Sequence, residues 1–161
     1  TQNRPNNAFY LTNFKGKKRY LVYFELSQNL FDKKYILLSL ALLYESIRMY
    51  IKTYIKNQHK ALVEDIENQF NNDLYKIGDF FKNLKWKNSN DRKTKIIISE
   101  TDYLKLKNSF PKDLEKLYDE IDKKRNNLAH ANTRGTFLDI EKDVAKLLFQ
   151  YKSLAISKPL N

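Results

Sequence analysis

Apolar positions recur at three- and four-residue steps along most of the chain, the spacing of helices that bury one face. Tyr20, Val22, Tyr23, Phe24, Leu26, Leu30 and Phe31 predict a helix from about Lys17 to Asp32. After a Lys33-Lys34 turn, Ile36, Leu37, Leu40, Leu43, Tyr44, Ile47, Tyr50, Ile51 and Tyr54 form a wide stripe on a second helix, about Tyr35 to Asn57. So short a turn implies an antiparallel pair. A third helix is expected over about Ala61 to Phe70. A fourth follows over about Leu74 to Trp86, with Ile77, Phe80, Phe81 and Leu84 inward.

The stretch Asn88 to Lys95 is polar and reads as a loop, and the β-branched Ile96-Ile97-Ile98 is a candidate short strand. Thr101-Asp102 is the expected cap of a short helix reaching about Asn108. Pro111 suits the first turn of a helix running to Ala131, with Leu114, Leu117, Tyr118, Ile121 and Leu128 inward. Gly135 interrupts in the Thr133-Arg134-Gly135-Thr136 turn, and a last helix is expected from about Leu138 to Leu154. The pattern predicts an all-α bundle of about five to seven helices, with a short irregular or β-like insertion near 88–99. Residues 1–16 read as an irregular lead-in or linker from a preceding domain, because the chain begins at Thr1 and not Met. Residues 17–161 read as one helical domain, a length that suffices for a sizeable core.

Composition narrows the chemistry. Thirty Lys and Arg against 19 Asp and Glu give a net charge of +11, which favours a polyanionic partner, nucleic acid or an anionic surface. Richness in Lys, Asn and Ile also follows from AT-rich coding, so charge alone selects no function. The absence of Cys excludes disulfides, thiolate metal sites and cysteine nucleophiles. A cytoplasmic location is compatible with this and is the expectation. The longest nearly apolar run, Tyr35 to Tyr44, falls well short of the ~20 residues of a membrane span. No signal-peptide pattern, Gly-rich phosphate loop or compact acidic cluster is present. No cofactor is implied.

Only two histidines exist, His59 and His130, and neither stands in a metal-ligand spacing. His59, between Lys56 and Lys60, reads as a solvated turn residue. His130 closes the run Arg125-Asn126-Asn127-Leu128-Ala129-His130 near the end of the helix that begins at Pro111. Asn126, four residues before His130, shares its helix face. Arg125 is five before, rotated roughly 140° on an ideal helix, with a side chain long enough to reach forward. These residue types suit metal-free RNA cleavage. A His moves protons near neutral pH, an Arg fork stabilises charge on a phosphate, and an Asn orients the His ring or holds a phosphate oxygen. The 2′-hydroxyl as nucleophile excludes DNA. By chance alone an Arg and a His share a helix often, and His near a helix C-terminus is electrostatically favourable for structural reasons alone. Lys123, Lys124 and Arg134 are candidate RNA contacts, and Trp86 between Lys85 and Lys87 is a candidate base-stacking platform or a packed bundle residue.

The run Arg125 to His130 resembles the Arg-Asn-x-x-x-His signature of HEPN-domain ribonucleases. Its place late in an all-α chain, with one more helix after it, is similar too. Ala129-His130-Ala131 resembles the HEPN domains of CRISPR ancillary ribonucleases, in which a CARF sensor domain precedes the HEPN domain. The pair Phe24-Glu25-Leu26 through Leu42 to Ile47 resembles that family's opening hairpin, so the likeness covers about Tyr20 to Tyr151. It implies an endoribonuclease cutting single-stranded RNA to 2′,3′-cyclic phosphate in antiviral defence. It further implies a homodimer with a composite site of two Arg125–His130 motifs, and activation by cyclic oligoadenylate through a CARF domain that this chain does not show. The alternatives are a non-catalytic RNA-binding or dimerisation HEPN module, or a HEPN toxin. Many such toxins carry a Tyr two positions after the His, where this chain has Asn132.

Overall fold

The computed structural model describes residues 16–84, 98–130 and 135–160. Among these the fold is all-α: α1 (Arg19–Asp32), α2 (Ile36–Gln58), α3 (Lys60–Gln69), α4 (Leu74–Asn83), α5 (Glu100–Asn108), α6 (Lys112–Ala129) and α7 (Phe137–Tyr151), which ends in a π-helical turn, Lys152–Ile156. Trp86, Arg134, the Asn88–Lys95 loop and the possible strand at Ile96-Ile97 lie outside the described residues.

Local chemistry sets the helix ends. Lys34 adopts φ 67°, the left-handed region, and closes α1. Its N–H donates to Phe31 O at 2.9 Å, and that of Tyr35 donates to Leu30 O at 2.9 Å. Asp73 caps α4 by accepting from the N–H groups of Tyr75 and Lys76. The short helix α5 is capped by Ser99, which accepts from Asp102 N, and not by Thr101-Asp102 as the sequence suggests. Ser99 wins because it stands in extended backbone just before the first helical residue, whereas Thr101 and Asp102 already lie in the first turn. Pro111 sits one position before α6, at its N-cap. α7 begins with a capping box in which Thr136 and Asp139 bond each other's backbone N–H. The Asp139 carboxyl is held below its ordinary pKa, first by the Thr136 backbone bond and then by the Thr136 hydroxyl.

α1 and α2 pack most extensively, and small side chains let them approach. Buried Ser27 donates to Ser39 O at 2.6 Å and Ser39 donates back to Ser27 O at 2.8 Å. Ser46 donates to Tyr20 O at 2.6 Å and meets the Tyr151 hydroxyl at 2.8 Å, so α7 docks on the same seam. Around it the rings pack edge to face, Tyr20 on Tyr50 at 5.2 Å and Phe24 on Tyr151 at 5.6 Å. Most described tyrosines are buried, as the stripe predicts; Tyr35 and Tyr75 are exposed. No described helix is long and apolar enough to cross a membrane.

Candidate active site

The late helix α6 lies antiparallel to α2. Tyr118 meets Tyr44 at a ring separation of 5.8 Å, while Leu114 shares a groove with Tyr50 and Tyr54 one or more turns away. α6 also runs against α7, where Lys124 Nζ reaches Asp143 at 2.6 Å. Lys34 pairs with Glu141, which brings the α1–α2 turn to the start of α7. One end of the bundle therefore gathers the C-terminus of α6, with His130, and the first turns of α2 and α7. Large apolar residues are exposed there: Tyr35 (57% exposed), Leu37, Leu38, Phe137 (55%) and Leu138 (65%).

His130 is the C-cap of α6, with φ −97° and ψ 9°, and its N–H donates to Asn126 O at 3.0 Å. Its side chain is exposed. Among the described residues no hydrogen bond joins the His130 ring to Arg125 or Asn126. The expectation that Arg125 reaches forward along the helix is not met. Its guanidinium instead turns sideways and lies over the Tyr44 ring, 4.0 Å from the ring centre. The flat cation covers the negative face of the phenol, a contact that a forward-reaching rotamer would forfeit.

Asn126 works with Arg125 and not with His130. Its Oδ1 accepts from Arg125 Nη2 at 3.2 Å, and its Nδ2 makes a long 3.5 Å contact to Asp122 Oδ1. The other Asp122 oxygen faces Lys82 Nζ at 3.6 Å. Lys82 comes from α4 and lies 5.5 Å from the Tyr44 ring centre. Burial alone would pull its pKa down. The hydrogen bond to Tyr44 and the fields of Tyr44, Asp122 and Asp79 outweigh burial and raise it, so Lys82 stays charged. Arg48, only 4% exposed, lies 5.4 Å from the same ring centre. It bonds Glu45 Oε1 at 3.0 Å and Tyr75 O at 3.1 Å.

Of the other candidates, Lys124 is committed to Asp143 across the α6–α7 groove, whereas Lys123 is exposed and has no ion-pair partner among the described residues. His59 is not simply solvated: its Nε2 lies 2.7 Å from Ser109 Oγ, tying the α2–α3 junction to the end of α5. Sequence reasoning missed Tyr44, Lys82, Asp122 and Arg48. Tyr44 carries the signature of any stripe residue, and Lys82 falls beside buried Phe81 with nothing to distinguish it. Among the described residues no three His, Asp or Glu side chains group as a metal ion would need.

No protein-family model matches the chain, and no curated protein or solved structure matches it.

Proposed function

We propose that this domain is a metal-independent endoribonuclease of the HEPN type that cuts single-stranded RNA and leaves 2′,3′-cyclic phosphate. The observation that carries the reading is the state of the two motif side chains. Arg125 is positioned by a ring and an amide with no carboxylate neutralising it among the described residues, and His130 is exposed at the helix end. A charge held ready for a phosphate and a ring open to proton exchange are the two groups this cleavage requires.

In the proposed mechanism one His130 takes the 2′-hydroxyl proton, and the oxygen attacks the adjacent phosphorus. Arg125 stabilises the extra negative charge on the non-bridging oxygens. A second His130 protonates the departing 5′-oxygen. Two histidines are needed at one phosphate, so the complete site is formed by two copies related by a two-fold axis. The exposed Tyr35, Leu37, Leu38, Phe137 and Leu138 beside His130 support such pairing, because monomers seldom leave so many large apolar groups in water at one end. Activation by cyclic oligoadenylate bound to a linked CARF domain, a role in antiviral defence and a cytoplasmic location belong to the same proposal.

Labelled single-stranded RNA incubated in EDTA tests it. Cleavage is expected, and a single 2′-deoxy substitution at the cut site is expected to abolish it. Binding without cleavage, also in the presence of a linked CARF domain and its activator, would instead make this an RNA-binding module. Persistent cutting of the deoxy substrate would contradict the roles given to the 2′-hydroxyl and His130.

A further inference from the structure

Three cations converge on one ring. Arg48, Lys82 and Arg125 lie 5.4, 5.5 and 4.0 Å from the centre of Tyr44, itself only 3% exposed. Two carboxylates serve them. Glu45 takes Arg48 at 3.0 Å, and Asp122 takes Lys82 at 3.6 Å. Among the described residues no carboxylate pairs with Arg125. A structural arginine at such a place would be expected to carry an ion pair, since a half-buried charge gains from one. Here the ring face and the Asn126 amide fix the guanidinium, and no described carboxylate neutralises its charge.

The contacts form a closed circuit across three helices. Tyr44 of α2 supports Arg125; Arg125 bonds Asn126; Asn126 touches Asp122; Asp122 pairs with Lys82 of α4; and Lys82 returns to Tyr44. Each member limits the freedom of the next. Without the ring, Arg125 would be one more long side chain on a helix end, free to sample many rotamers.

We infer that Tyr44 is a positioning residue, a platform that fixes the Arg125 guanidinium toward the reacting phosphate, with the Lys82–Asp122 pair bracing it through Asn126. This rests on the reading of Arg125 as the phosphate-facing group. The platform acts on the orientation of a charge that matters most in the transition state, so its loss lowers kcat more than it raises KM. The contact with Arg125 needs only the π system of the ring, while the hydroxyl serves Lys82, so loss of the hydroxyl alone is the smaller change.

Two readouts test this, and only one depends on activity. In the full chain the Arg125 Nε–Hε resonance, assigned by its disappearance in Arg125→Lys, is expected well upfield of a free arginine because of the ring current of Tyr44. Tyr44→Phe is expected to keep that shift and to leave kcat within about threefold of wild type. Tyr44→Leu is expected to abolish the shift and to lower kcat roughly tenfold, with KM changed much less. An Arg125 resonance at the free-arginine position in the wild-type protein overturns the platform. So does a folded Tyr44→Leu protein with unchanged kcat. Should Tyr44→Leu not fold, the wild-type and Tyr44→Phe resonances decide alone. A shifted resonance in a wild-type protein that cuts no RNA, also with a linked CARF domain and its activator, upholds the placement of Arg125 and overturns the ribonuclease reading.

Discussion

At the scale of single residues, a planar guanidinium on a phenol ring separates Arg125 from the lysines around it. A lysine at this position keeps the charge but loses both the flat contact with Tyr44 and the fork that matches two phosphate oxygens. Arg125→Lys is therefore expected to lower kcat on the order of a hundredfold, close to Arg125→Ala, in single-turnover cleavage. Lys123 stands in contrast. It is exposed and has no ion-pair partner among the described residues, so Lys123→Ala is expected to weaken RNA binding and flatten its salt dependence while kcat holds. A drop in kcat for Lys123→Ala matching that of Arg125→Lys would show that charge density, and not geometry, drives the chemistry. The motif residues themselves were legible in the sequence. Their partners were not, because Tyr44 looks like any tyrosine of an apolar stripe and the Lys82–Asp122 pair joins residues 40 positions apart.

Helices supply the rigid frame that holds these side chains, and their ends and contacts make separate predictions. Gly78 lies inside α4, where alanine would ordinarily add about 1 kcal/mol of stability. A Cβ there would come within 2.5 Å of the Arg48 Nη2 atom. Arg48 is pinned by Glu45 and by Tyr75 O, so it has little room to retreat. Gly78→Ala is thus expected to destabilise the fold in urea unfolding, and a stabilised variant would contradict the close packing of Arg48. The capping box of α7 makes a pH prediction. The folded state depresses the Asp139 pKa, so its contribution to stability is present above the ordinary aspartate pKa of about 3.9 and is lost as pH falls through the lower folded value. Asp139→Asn is expected to flatten the acid limb of a Tm-against-pH curve. Thr136→Ala should cost about 1 kcal/mol at neutral pH.

Helix order and most boundaries followed from periodicity, since long amphipathic stripes with few Gly or Pro leave little choice. The short helix α5 was harder: its cap fell to Ser99, two residues before the expected Thr101, because capping is decided by one residue's backbone and leaves no periodic trace. The inward turn of Arg125 was equally invisible, since a rotamer is chosen by a neighbour on another helix.

For the molecule as a whole, the position of His130 matters as well as its identity. It lies at the end of the bundle where Tyr35, Leu38, Phe137 and Leu138 are exposed, and the α1–α2 turn is joined to α7 there by Lys34 and Glu141. Under the proposed function this end is the face at which two copies meet. Leu138→Asp is expected to shift the protein to monomer in analytical ultracentrifugation and to abolish RNA cleavage together, while leaving the helical signal intact. A monomer that still cuts would contradict the composite site. Under the same proposal the net charge of +11 would draw RNA toward the protein.

Under the proposed function, Arg125 and His130 carry metal-free RNA cleavage. Single-turnover cleavage of labelled single-stranded RNA in EDTA, compared among wild type, Arg125→Ala and His130→Ala, tests it most directly. Wild type is expected to leave 2′,3′-cyclic phosphate ends, and each variant is expected to lose at least about a hundredfold in rate. Cleavage that survives undiminished in His130→Ala would contradict it.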